Sequence, residues 1–203
     1  MTNDKIYLVG FMAAGKTTLS VKLAETLGWQ SEDIDALVEA REKSSVSEIF
    51  TRHGESYFRA AEHDILRLLL PLRHVVVATG GGTFFYQENR QIIMADGISI
   101  WLDISLEQVI TRLSDDGHRP LAVDQKQLER LYKIRQKSYQ KANLRLKVDG
   151  ATPEQLTKLA TRWLENQKRK LGKRTYFEGG KQNNNNYNND YFPEGVLKEE
   201  IQQ

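Results

Sequence analysis

Residues 10–17 read Gly-Phe-Met-Ala-Ala-Gly-Lys-Thr, the Gly-x-x-x-x-Gly-Lys-Thr spacing of a phosphate-binding loop. Each residue type has a mechanical task in that pattern. Gly10 and Gly15 let the backbone curl until its N–H groups face phosphate oxygens. Lys16 reaches the β- and γ-phosphates, and Thr17 offers a hydroxyl to Mg²⁺, a cation that keeps most of its water and takes few protein ligands. A glycine-rich turn without a ligand has no need of a lysine directly after its second glycine.

Two further groups of residues concern whatever receives the phosphate. Asp33-Ile34-Asp35 stands at the end of a second strand signal. Ligands of open α/β sheets bind beyond the carboxyl ends of strands, and a two-residue period would put both carboxylates on one side of the strand end. One can help hold Mg²⁺ while the other accepts hydrogen bonds from an alcohol and takes up its proton. The competing role is a plain cap on the next helix. Arg59 lies one helical turn from Glu55 and Glu62, a spacing that by itself describes a surface ion pair worth tenths of a kcal/mol. It gains weight beside Gly80-Gly81-Gly82, because three glycines at a strand end permit very close approach of backbone to a ligand.

The elements that must position these groups alternate along the chain. Strand signals are Ile6–Val9, Gln30–Asp33, His74–Thr79, Ile98–Asp103 and Leu144–Val148, with helical patterns between them. The first helix spans about Lys16 to Leu27, with Gly28 placed to end it and its N-terminus directed at the anion. Val75–Val77 is a continuous β-branched run, suited to a strand buried on both faces. Thr152-Pro153-Glu154-Gln155 and the pair Ser105/Gln108 are helix starts with reciprocal caps. The pattern predicts an α/β domain with about five parallel strands flanked by helices.

Bulk properties narrow the function classes. The chain has 203 residues, 39% hydrophobic, with a net charge of +2 and no cysteine. A balance so near neutral gives no electrostatic case for nucleic acid or membrane as a partner. No apolar run approaches the ~18 residues of a membrane span, and the phosphate loop interrupts the N-terminal apolar stretch where a signal peptide would continue. Without cysteine there are no disulfides or thiolate metal sites, as suits a cytoplasmic protein. Composition changes after Gly172, and residues 182–190 read QNNNNYNND. The expected organisation is a domain over 1–172 and an Asn-rich, disordered tail over 173–203.

The ordered set GFMAAGKTT, DID, SVSEIFTRHGESYFRAAE, TGGGT, HRPL and the later Arg135 resembles the shikimate kinase family, over about residues 4–165. The resemblance implies a three-layer P-loop kinase fold of the nucleoside-monophosphate-kinase type with a mobile lid over about 113–124. It also implies transfer of the γ-phosphoryl of ATP to the 3-hydroxyl of shikimate, in the route to aromatic amino acids. Carried onto this sequence, Ala13, Ala14, Gly15, Lys16, Thr17 and Thr18 wrap the ATP phosphates. Thr17 and Asp33 serve one Mg²⁺, Asp33 through water. Asp35 binds the substrate hydroxyls and is the base. Arg59 and Arg135 hold the substrate carboxylate, and Gly81 contacts the substrate through its backbone. Arg119, in the lid, reaches the ATP phosphates, and Arg112 lies near the adenine. Lys16, Asp35 and Arg119 are then the catalytic residues, and the family implies a monomer.

Elementary chemistry agrees with this assignment. Two arginines away from the phosphate loop suit an anionic acceptor, because guanidinium meets carboxylate in a two-pronged geometry. Phosphoryl transfer needs positioning and charge neutralisation, which Lys16, Arg119 and Mg²⁺ supply. One departure stands out: Ala13 occupies a position where the family usually has glycine. Alanine is tolerable there at negative φ and costs affinity or activity at positive φ. Two alternatives stay open: a gluconate-kinase-like enzyme on the same fold, and a non-catalytic nucleotide-binding module whose tail engages a partner.

Overall fold

The computed structural model describes residues 4–115 and 125–178. Five parallel strands form one sheet in the order β2-β3-β1-β4-β5. They are β1 (Lys5–Gly10), β2 (Gln30–Asp33), β3 (Val75–Ala78), β4 (Ile98–Asp103) and β5 (Leu144–Lys147). Helices α1 (Lys16–Leu27), α2 (Ile34–Glu42), α3 (Val46–Leu68), α4 (Gln87–Asp96), α5 (Leu106–Asp115), α6 (Gln125–Tyr139) and α7 (Pro153–Glu178) flank it. Parallel strands cannot be joined by tight turns, so each connection runs through helix.

Position in the sheet accounts for strand composition. Central β1 and β3 are buried along their whole length, whereas edge strand β2, reading QSED, is only partly covered. In edge strand β5 only Leu146 is fully buried, the alternation expected of a half-covered strand. The core joins Ile6, Leu8, Val76, Ile100 and Leu102 of the sheet to Leu19, Leu23, Ile65, Leu156 and Ala160 of the helices.

A charged group is buried at the start of β1. Lys5 is 0% exposed, and its ammonium donates to Leu69 O at 2.8 Å and Leu70 O at 2.9 Å while pairing with Asp96 at 2.8 Å. Tyr7 also donates to Asp96. This network anchors the start of β1 on α3 and α4, at the sheet end opposite the phosphate loop.

The reciprocal cap forms at Thr152 but only by half at Ser105, whose own N–H donates instead to Asp149 Oδ1 at 3.1 Å, a partner 44 residues away. Thr152 N donates to Gln155 Oε1 at 2.9 Å, Gln155 N donates back to Thr152 Oγ1 at 3.3 Å, and Gln108 N donates to Ser105 Oγ at 3.2 Å. Gly28 ends α1 in a left-handed conformation, φ 67°. Two differences from the sequence reading appear. Helix α3 breaks at Gly54 (φ 81°, ψ 174°), so Glu55, Arg59 and Glu62 belong to its second segment. Helix α7 runs through residue 172 to Glu178, because Gly172 is carried inside a helix of good helix formers. The tail expectation for 179–203 lies outside the described residues.

Candidate active site

The carboxyl ends of β1, β2 and β3 open onto a cavity of about 540 Å³ bordered by Ala13, Lys16, Thr17, Asp33, Asp35 and Gly81 among others. The phosphate loop leaves β1 at Gly10, whose φ is 144° and where a side-chain Cβ would stand 2.6 Å from Leu102 O. The loop enters α1 through Gly15 (φ 85°), which leaves the first-turn N–H groups of α1 without a side-chain cap and open to an anion. Lys16 folds over the loop, donating to Phe11 O at 2.8 Å and Gly10 O at 3.1 Å. Desolvation lowers its pKa from 10.5 to about 8, against the pull of Asp35 and Asp33.

Ala13 adopts φ 58°. That is the left-handed region, which costs a non-glycine residue roughly 1–2 kcal/mol. The departure noted in the sequence therefore falls on its costly side. Arg112, from α5, donates to Ala13 O at 2.9 Å.

Asp33 takes the capping role weighed against its site role, and also meets the phosphate loop. Its Oδ1 accepts from Asp35 N at 3.0 Å and Ala36 N at 3.3 Å, capping α2. Its Oδ2 accepts from Thr17 Oγ1 at 2.6 Å. Asp35 is not a strand residue: it stands in the first turn of α2, so the two carboxylates converge through a strand-to-helix turn rather than through a two-residue strand period. Asp35 Oδ1 is buried and has no hydrogen-bond partner among the described residues. Burial first, then the nearby Glu62 and Asp33, raises the Asp35 pKa from 3.8 to about 6, partly offset by Lys16 and Arg59.

The three glycines after β3 leave room for four charged side chains. A Cβ on Gly80 would collide with Glu62 Oε1 and stand 2.6 Å from Asp35 Oδ1. One on Gly81 would be 3.2 Å from Arg135 Nη1, and one on Gly82 would be 2.5 Å from Arg59 Nη1. Arg59 is 15% exposed and Glu62 0%, so this is no surface ion pair. Arg59 Nη1 donates to Glu62 Oε2 at 3.0 Å, and its Nε and Nη2 donate to Glu55 Oε1 at 3.2 and 3.1 Å. Its guanidinium also packs against the rings of Phe58 and Tyr86. Arg135 is 7% exposed, lies over the Phe11 ring and keeps a buried Nε without a partner among the described residues.

Sequence reasoning missed three members of this cluster. Glu62 was visible only as a helical neighbour of Arg59, yet it ties Arg59 to Thr83, whose hydroxyl donates to Glu62 Oε1 at 2.5 Å. Tyr139 donates to Gly81 O. Thr83 had a weak signal, its place directly after the glycines; Tyr139 had none. Arg119 lies outside the described residues, as does most of the 113–124 segment expected to form a lid.

A curled loop on a helix N-terminus, a lysine within it, and a carboxylate pair beside a separate arginine pocket define a P-loop kinase. A family model described as "Shikimate kinase" matches residues 12–165. A shikimate kinase of Persephonella marina is 40% identical over 152 residues, covering 74% of this chain and 93% of that protein. A solved shikimate kinase of Aquifex aeolicus has a TM-score of 0.71 and 33% identity over 80% of this chain and 97% of its own. Another, from Acinetobacter baumannii in complex with shikimate, has a TM-score of 0.77 and 32% identity over 82% and 96%. This chain belongs to the shikimate kinase family.

Proposed function

We propose that this protein is an ATP-dependent shikimate kinase, transferring the γ-phosphoryl of ATP to the 3-hydroxyl of shikimate to give shikimate 3-phosphate and ADP. The observation that supports this reading is a pair of buried atoms beside the phosphate loop that are unsatisfied among the described residues. Asp35 Oδ1 is an acceptor and Arg135 Nε a cationic donor, neither with a partner. A ligand that satisfies both needs a hydroxyl and an anionic group on one small frame, which a hydroxylated ring carboxylate provides.

Each residue then has a defined part. The loop from Ala13 to Thr18 holds the ATP phosphates, with Arg112 beside it. Arg59 and Arg135 hold the substrate carboxylate, and Gly81 offers its backbone to the ring. Asp35 accepts the proton of the attacking hydroxyl as the new P–O bond forms and the bond from the γ-phosphorus to the β–γ bridging oxygen breaks. A pKa near 6 leaves Asp35 ionised at neutral pH, yet more basic than an ordinary aspartate. Lys16 neutralises charge on the leaving diphosphate. Arg119 joins it from the 113–124 lid on the strength of the family resemblance.

The Thr17 hydroxyl and the Asp33 carboxylate are hard oxygen donors at the cavity mouth and fit Mg²⁺. Among the described residues no group of three or more His, Cys, Asp or Glu is placed to hold a metal, in keeping with a cation whose remaining ligands are water and phosphate. When bound, Mg²⁺ supplies charge neutralisation at the β- and γ-phosphates. Among the described residues no helix is long and apolar enough to cross a membrane. A cytoplasmic monomer that acts on small molecules, not on nucleic acid or membrane, completes the proposal.

A coupled assay of ADP release with ATP and Mg²⁺ tests it. Release that requires shikimate is expected. Release with gluconate but not shikimate would move the chain to a gluconate-kinase-like enzyme on the same fold. Silence with both, in protein that still binds ATP, would leave a non-catalytic nucleotide-binding module.

A further inference from the structure

The peptide between Ala13 and Ala14 is gripped from both edges. Its carbonyl accepts from Arg112 Nη1 at 2.9 Å, and its N–H donates to Phe11 O at 3.3 Å. A trans peptide is a rigid plane, so holding both edges fixes its rotation, and with it the conformation of the residue in front. That residue is Ala13, at φ 58°, where an L side chain is strained and a glycine would not be. The same guanidinium reaches across the turn, with Nη1 3.9 Å from where a Cβ on Gly15 would stand. One side chain of α5 thus spans both left-handed residues of the loop, 13 and 15.

We propose that Arg112 is a positioning residue for the phosphate loop. Its charge-assisted bond to Ala13 O holds the strained alanine in the left-handed conformation that keeps the loop open toward phosphate. A glycine at position 13 reaches that conformation unaided, so the alanine makes ATP affinity depend on a residue of α5. This rests on reading residues 10–18 as the phosphate site. It differs from an adenine contact by Arg112, because a direct contact contributes equally whatever residue stands at 13.

The test is a double-mutant cycle over Ala13→Gly and Arg112→Ala, with Arg112→Lys as rescue. ATP affinity is read by calorimetric titration, and KM for each substrate and kcat by turnover. Arg112→Ala is expected to weaken ATP binding about tenfold in the parent protein, the scale of one charge-assisted bond. In the Ala13→Gly background the loss should shrink to about threefold or less. The effect should fall on KM for ATP, with KM for shikimate little moved. Arg112→Lys, which retains a cationic donor but cannot stack on a base, should recover most of the loss. Equal losses in both backgrounds, no loss in the parent, or no recovery with lysine would each overturn the proposal. Parent protein that binds no ATP in the first titration would overturn the phosphate-site reading itself, before any variant is compared.

Discussion

The Thr17 hydroxyl donates to Asp33 Oδ2 at 2.6 Å, tying the first turn of α1 to the end of β2. The two strand ends of the nucleotide side are thereby joined through the atoms assigned to Mg²⁺. Asp33 also caps α2 through its other oxygen, so the variant that isolates the metal role is Asp33→Asn, which retains a capping side chain. We expect the Mg²⁺ concentration for half-maximal turnover to rise about tenfold, with thermal stability lowered little. An unchanged Mg²⁺ titration would remove Asp33 from the metal site.

Acid and base limbs should bracket the activity. Asp35, with its pKa raised to about 6, must be ionised to accept a proton, and Lys16, lowered to about 8, must be protonated to neutralise phosphate. The pH profile of kcat/KM reports free-enzyme groups, so it should rise through about 6 and fall through about 8. In Asp35→Asn the acid limb should vanish along with most of the turnover. Persistence of that limb would assign it to another group.

The same aspartate has a stability signature of opposite sense to the usual one. A folded pKa above the unfolded value means that the folded state holds the proton more tightly. Its contribution is present below the unfolded pKa near 3.8 and is lost as pH rises through about 6. Asp35→Asn should therefore raise stability at pH 7–8 by up to about 3 kcal/mol, with little gain near pH 4. Denaturant titrations at the two pH values measure the difference, and equal gains at both would refute the burial account.

Glu62 links Arg59 to Thr83 beside Asp35, across the acceptor site we propose. Glu62→Gln keeps the shape but removes the charge that orients Arg59 and raises the Asp35 pKa. KM for shikimate should rise about tenfold with KM for ATP little changed, and the acid limb should move below about 6. A loss shared equally by both substrates would mark Glu62 as merely structural.

Gly82→Ala tests the packing of Arg59 without touching a charge. The new Cβ would stand 2.5 Å from Nη1 and 2.6 Å from Cζ of Arg59, so the guanidinium must move. A displacement of this size at a binding group should lower kcat/KM for shikimate about 10- to 100-fold. ATP affinity measured without shikimate should hold, and its loss would mean that the substitution disturbs β3 instead.

Much of the molecule is legible before folding, for reasons that lie in local chemistry. The phosphate loop, the first helix and its glycine stop, and the capping box at Thr152 depend on residues within one turn of each other. Continuous apolar runs such as Val75–Val77 identify the central strands because a parallel sheet is covered on both faces. Helix α7 continues past Gly172, where composition registers a break, because a long helix absorbs one glycine at a cost of about 1 kcal/mol. Nothing local to Lys5 points to burial, and only the sheet shows that two carbonyls and Asp96 receive it inside the core.

Sequence alone determined the class of chemistry, since the identity and spacing of Gly10, Gly15, Lys16 and Thr17 suffice to specify a phosphate cradle. Tertiary structure decided what surrounds it. Glu62 and Tyr139 join the acceptor site, Asp35 gains its basicity from burial beside Glu62, and Arg112 closes on Ala13 from 99 residues away along the chain. These are through-space effects of desolvation, charge and contact between distant segments. No local pattern encodes them, because they exist only once the sheet has brought its strand ends together.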